Sequence, residues 1–185
     1  MNSVLYIKNM VCNRCKTTVL SLLNDRGFQV ESIQLGKIIV KENSNNNYVE
    51  FEKELNDLGF ELIKDSYKAL VEKIKIALIQ QIEKGEAEVI LSNLANDLGK
   101  NYSLLSKTFS KSEGMTLEKY LINLKIEKTK EYIQLNQHNF SEIAYSLNYK
   151  NSSHLAKQFK NFTGMSMSEF KNLQNGDRKP LDKIV

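Results

Sequence analysis

Proline is nearly missing from this chain of 185 residues: the one that occurs is Pro180, in a polar C-terminal stretch, so no buried cis-proline turn can shape either half. Cysteine occurs only at Cys12 and Cys15, a spacing that argues for free thiols or a metal-holding pair rather than a structural disulfide. Arginine is restricted to Arg14, Arg26 and Arg178, so nearly all positive charge is carried by lysine. No run of about eighteen apolar residues is present to span a bilayer. The opening Met-Asn-Ser-Val-Leu also lacks the charged region and long apolar stretch of a signal peptide. A cytoplasmic protein with no membrane partner is therefore expected. Paired carboxylates, a nucleophile beside a base and a phosphate-cradling glycine loop are all lacking, which sets enzymes aside.

What the chain does have is a repeat. Leu105-Ser-Lys107-Thr-Phe109 with Gly114-Met115-Thr116 and Tyr120 is answered fifty residues later by Leu155-Ala-Lys157-Gln-Phe159 with Gly164-Met165-Ser166 and Phe170. Upstream, Leu94-Ala95 and Leu98 are answered by Ile143-Ala144 and Leu147 at an offset of forty-nine. Each copy reads as helix, turn, helix, which suggests two copies of one binding unit. Charge follows the repeat: residues 66–185 carry 18 Lys+Arg against 13 Asp+Glu, whereas residues 1–65 carry 8 against 9. A basic surplus of this size also fits a merely solvated face, so it supports an acidic partner without proving one.

The first half, residues 1–65, reads as βαββαβ. Val4 to Ile7 is a strand, and Lys16 to Asp25 is a helix carrying Val19, Leu20, Leu22 and Leu23, with Gly27 as its stop. Two β-rich runs meet at Gly36. Asn43 to Asn47 is a loop, Tyr48 to Leu58 a helix with Val49, Phe51, Leu55 and Leu58 on one face, and Phe60 to Ile63 a last strand. The order implies an α+β, ferredoxin-like domain.

In the second half, residues 66–175, Ser66 is positioned to cap a helix whose stripe is Leu70, Val71, Ile74, Ala77, Leu78 and Ile82. Ser92 opens a short helix to Leu98, and Asn101 or Ser103 the next, to about Ser112. A long helix then runs from Thr116 to about Leu135. Ser141 and then Asn151 or Ser152 start the second unit, and Ser166 with Glu169 forms a capping box for a closing helix. The domain expected is all-α, two helix-turn-helix units joined by a long helix, with residues 176–185 as a polar tail. Because Leu105 with Phe109 and Leu155 with Phe159 must face the core, Ser103, Ser106 and Lys107, and likewise Ser152, Ser153 and Lys157, are left outside.

The loop Met10-Val11-Cys12-Asn13-Arg14-Cys15 resembles the Met-x-Cys-x-x-Cys loop of heavy-metal-associated domains. That resemblance implies that Cys12 and Cys15 hold Cu(I) or another soft ion as thiolates. Asn9 stands where that family usually has glycine, and Arg14 places a positive charge between the two ligands. A loop remnant on a domain kept for folding or pairing is the plainer alternative.

Residues 70–173 resemble the AraC/XylS family of bacterial transcription regulators. The landmarks are Leu94-Ala95-(x2)-Leu98-Gly99, Phe109-(x4)-Gly114-(x5)-Tyr120-Leu121, Ile143-Ala144-(x2)-Leu147-Asn148-Tyr149, Leu155-(x3)-Phe159-Lys160 and Phe162-x-Gly164. Asn148 stands in place of the usual glycine and Met167 in place of the usual proline. The resemblance implies two recognition helices in successive major grooves of double-stranded DNA. Base contacts would come from Ser103, Ser106, Lys107, Ser152, Ser153 and Lys157; Lys111 and Lys160 would meet phosphates, and His154 would pack or meet a phosphate. RNA polymerase and a second copy of the chain are further partners compatible with that role. The competing expectation is a Cu(I) carrier domain fused to a helical adaptor.

Overall fold

A computed structural model describes residues 2–41, 47–84 and 90–173. The chain divides into two compact units, Met1–Ile76 and Ala77–Val185.

The first unit is built on four antiparallel strands: β1 (Asn2–Lys8), β2 (Val30–Gln34), β3 (Lys37–Lys41) and β4 (Glu61–Ile63), in spatial order β2-β3-β1-β4. Helices α1 (Asn13–Asp25) and α2 (Tyr48–Asp57) fall between them in sequence. Strand periodicity puts Leu5 and Ile7 of β1, and Ile38 and Val40 of β3, on one face, where Val19 and Leu23 of α1 and Phe51 and Leu55 of α2 bury them. The paired register Leu5↔Ile38 keeps these side chains in one layer. Phe28 closes the layer, its ring 5.2 Å from Phe51 and 5.1 Å from Tyr48.

On the other side of β1, Tyr6 takes Lys73 Nζ over its ring at 4.6 Å. Lys73 belongs to α3 (Ser66–Lys84). Glu72 of the same helix accepts the Asn9 backbone N–H at 2.8 Å, and Ile76 packs onto Gly36 of the β2–β3 turn. These contacts join the first half of α3 to the sheet, so the division falls between Ile76 and Ala77 rather than at the expected 65/66 junction.

Three other expectations are corrected. Asp65, not Ser66, starts α3, its carboxylate accepting the Tyr67 N–H at 2.6 Å and the Lys68 N–H at 3.3 Å. Val49 is 80% exposed, because at 100° per residue it stands about 200° round α2 from Phe51. Leu58 is 51% exposed because it lies past the end of that helix. The Asn43–Asn47 loop lies outside the described residues except for Asn47, which caps α2 by accepting the Glu50 N–H.

The second unit takes in the end of α3 and then α4 (Ile90–Asp97), α5 (Tyr102–Glu113), α6 (Leu117–Leu135), α7 (Phe140–Ser146), α8 (Ser152–Thr163) and α9 (Met167–Asn172). The first of these begins before the expected Ser92. Helix α7 is opened by Asn139 rather than Ser141: its amide oxygen accepts both the Ser141 and Glu142 N–H groups at 3.0 Å, and Glu142 returns the bond to complete a capping box. Helix α6 packs against α5, α8 and α9. The stretch 176–185 lies outside the described residues.

Gly36 sits at φ +68 with Ile76 pressed where a Cβ would go, while Gly99, at φ +58, has open space around it. Gly36→Ala should therefore cost more than the roughly 1–2 kcal/mol set by left-handed backbone alone, and Gly99→Ala only about that much. Urea unfolding of both variants checks this; equal losses would mean that the Ile76 terminal methyl swings aside at no cost.

Candidate nucleic-acid interface and thiol pair

Helices α5 and α8 are copies in cap, length and stop. The Asn101 side chain accepts the Leu104 N–H at 2.7 Å to start α5, and the Asn151 side chain accepts the His154 N–H at 2.8 Å to start α8. Each helix has 12 residues and ends on a left-handed glycine, Gly114 at φ +68 and Gly164 at φ +81. Glycine is suited to both stops because a Cβ is strained in that conformation. Within each, a leucine and a phenylalanine one turn apart are fully buried: Leu105 with Phe109, Leu155 with Phe159. The two phenylalanines meet repeat-equivalent rings, Phe109 on Tyr120 at 5.1 Å and Phe159 on Phe170 at 5.6 Å. Those rings belong to helices that start on Thr116 and Ser166, each accepting the N–H three residues on.

This inner anchoring decides the outer face. Ser103, Lys107 and Lys111 of α5 are exposed, and Ser106 is half-buried. On α8, Ser153, His154, Lys157 and Lys160 are exposed and Ser152, the first helical residue, is half-buried. All nine DNA-facing candidates therefore lie on these two helices, seven of them exposed. Among the described residues no carboxylate forms an ion pair with Lys107, Lys111 or Lys157. The Lys160 charge lies near Glu169, whose carboxyl is held below its usual range first by bonds from Ser166 and then by that lysine.

Other polar groups are committed to structure. Lys128 of α6 is buried, bonded to Glu83 at 3.1 Å and Glu131 at 3.3 Å. Lys125 is held below its ordinary pKa by burial, with its Nζ 5.2 Å from the Tyr149 ring. The Tyr102 hydroxyl donates to Glu118, and burial together with that bond pushes the phenol up to about 12. His154 turns its ring edge-on to Tyr149 at 5.4 Å, so it is exposed but oriented. Asn148 adopts the left-handed conformation, at φ +53, that its glycine-like position requires.

One exposed residue escaped the sequence reading. Leu104 occupies the repeat position of His154 and is 44% exposed. An apolar residue beside the core Leu105 reads as core; only the repeat alignment with His154 would have flagged it.

In the first unit, Cys12 caps α1, its Sγ accepting the Cys15 N–H at 3.4 Å, with the two sulfurs 2.9 Å apart. Burial alone would push the Cys12 thiol up. The bonds from the Cys15 thiol and from the Cys15 and Arg14 N–H groups, with the Arg14 charge behind them, outweigh it and set the thiol below its ordinary value. Cys15 is raised, by burial first and then by its bond to Cys12. Asn9 supplies the left-handed turn before the loop, at φ +68, and Met10 plugs the core beneath it. Two exposed or half-exposed thiols side by side at a helix start suit a soft ion with few ligands. Among the described residues no cluster of three or more His, Cys, Asp or Glu completes a larger site. No described helix is long and apolar enough to cross a membrane.

Residues 94–172 match a family model described as a helix-turn-helix domain. Over 111 residues the chain is 27% identical to the Msm operon regulatory protein of Streptococcus mutans serotype c, a match covering 60% of this chain and 39% of that protein. The chain thus spans about two fifths of the length of its curated relative. Among solved structures, a DNA-binding transcriptional dual regulator from Escherichia coli K-12 is 22% identical, with a TM-score of 0.47 over 53% of this chain and 88% of that one. The C-terminal domain of AraT, a response regulator from Geobacillus stearothermophilus, is 20% identical, with a TM-score of 0.48 over 57% of this chain and 93% of that one.

Alkylation followed by mass spectrometry should show Cys12 reacting with a pH midpoint below that of an ordinary free thiol, and Cys15 with one above it. Cys15→Ser should move the Cys12 midpoint. Identical profiles for the two thiols would remove the asymmetry that the hydrogen bonds create.

Proposed function

We propose that this chain is a sequence-specific DNA-binding transcription regulator that sets α5 and α8 into successive major grooves. The observation that carries the reading is the duplication itself: two helices with one start, one stop and one buried pair, each turning hydroxyls and unpaired lysines outward. Helix α6 between them has 19 residues, a rise of about 28 Å, close to the roughly 34 Å between successive major-groove faces on one side of B-DNA. The helix-turn-helix match over residues 94–172 supports the same reading.

Roles follow from side-chain chemistry. Ser103, Ser106, Ser152 and Ser153 are short enough to let the backbone approach base edges. Lys107 and Lys157 donate to guanine acceptors or to phosphates, and Lys111 and Lys160 to phosphates, positioning the helices. His154, held by Tyr149, is poised for a base or phosphate contact. Lysine cannot form the planar two-pronged bond of arginine, so a large share of the affinity is ionic and salt-sensitive.

For the first unit we infer a ferredoxin-like domain of the heavy-metal-associated kind. Its support is the antiparallel order β2-β3-β1-β4, α1 and α2 falling after β1 and after β3, and a Met-x-Cys-x-x-Cys loop before α1. Cys12 and Cys15 would hold Cu(I), which supplies soft-metal binding rather than catalysis. Arg14 favours the thiolates but repels the ion. A regulator that responds to soft metal or to thiol state combines both units, provided one bound state favours the DNA-competent conformation.

Lys107→Ala and Lys157→Ala should each weaken binding to a selected promoter fragment and each reduce the slope of log affinity against log salt by about 0.9. Fluorescence anisotropy across a salt series measures both, and unchanged affinity in the two variants would overturn the assignment. Competition between the reduced protein and a Cu(I) chelator should leave stoichiometric metal on the protein and none on a Cys12→Ser, Cys15→Ser variant.

A further inference from the structure

We infer that Leu104 reads the C5-methyl group of a thymine in the groove entered by α5, at the position where α8 presents His154, so that the two half-sites differ at that step. The inference rests on the DNA-binding reading and deepens it. An exposed leucine alone is ordinary on a protein surface; its neighbours make this one specific. Leu104, Lys107 and Lys111 fall at i, i+3 and i+7, along one stripe of α5, and Lys107 and Lys111 are exposed. The cations bring the stripe against the anionic duplex, and Leu104 is then the apolar group at its N-terminal end, one turn from Lys107.

The chemistry of the groove narrows what it can meet. Leucine has neither donor nor acceptor, so pressed on a guanine, adenine or cytosine edge it would strip water from a polar group and return no hydrogen bond. Thymine alone displays an apolar group in the major groove. On α8 the equivalent side chain is an imidazole whose orientation is set by Tyr149, and it can donate or accept. Since the scaffolds of the two helices match in cap, stop and core pair, this difference lies in readout and not in fold. It also gives the protein one orientation on its site.

The test uses the full chain and the tightest duplex recovered from a random-sequence library. Each thymine is replaced in turn by deoxyuridine, which removes only the methyl group, and binding is measured for the native chain, Leu104→Ala and His154→Ala. One thymine is expected whose replacement weakens the native chain roughly fourfold, the worth of one buried methyl-sized group. That loss should vanish in Leu104→Ala and persist in His154→Ala; because Leu104 is exposed, its truncation leaves the core intact. If no thymine loses its effect in Leu104→Ala, the inference fails while DNA recognition stands. A library that yields no bound sequence overturns both.

Discussion

The packing of a leucine and a phenylalanine one helical turn apart governs nearly everything on the outside of the second unit. Leu105 with Phe109, and Leu155 with Phe159, are without solvent exposure, and each pair is worth several kcal/mol of apolar burial. A helix held by such a pair cannot rotate about its axis without exposing it. The direction in which Ser103, Lys107, Ser153 and Lys157 point is therefore set from the inside, by contacts that those residues do not make. The rings of Tyr120 and Phe170 extend the same control, tying each candidate recognition helix to the helix that follows it.

The first unit uses a different device to the same end. Its thiol loop is short and is held at both ends: Asn9 turns through a left-handed conformation while its N–H is taken by Glu72 and its side chain donates to the Gly59 carbonyl at 2.9 Å, and Met10 is sunk in the core. The sulfurs then emerge where the first backbone N–H groups of α1 need an acceptor, and the Cys12 sulfur provides one. A side chain serving as a cap is already placed and partly stabilised as an anion. The position of the pair and its reactivity share one cause.

What could be read from sequence was mostly what is local. Gly114 and Gly164 as stops, the Ser166–Glu169 capping box and the left-handed Asn148 all depend on a few neighbouring residues. The structure departs from the sequence where two nearby residues could do one job, as with Asp65 against Ser66 and Asn139 against Ser141; there the better-placed acceptor won. Val49 falls on the far side of α2 from Phe51 and Leu58 just past its end, so neither reaches the face that a count of apolar residues along Tyr48–Leu58 suggests. The boundary inside α3 was not legible at all, because it is made by contacts to Asn9, Tyr6 and Gly36 far back in the sequence. Of the candidate interface, the exposed cationic and hydroxyl positions are visible through the repeat, whereas the exposure of Leu104 is hidden by its own hydrophobicity.

The matching caps, stops and core pairs of α5 and α8 have an evolutionary consequence. Because folding draws on positions 105 and 109, 155 and 159 and the capping asparagines, mutations at 103, 104, 107 and their counterparts are nearly neutral for stability. On the proposed DNA-binding reading, the outer face of each copy can then drift independently while the scaffold is held under selection. Under that reading a lineage carrying this domain acquires a new target one half-site at a time, without passing through an unfolded intermediate.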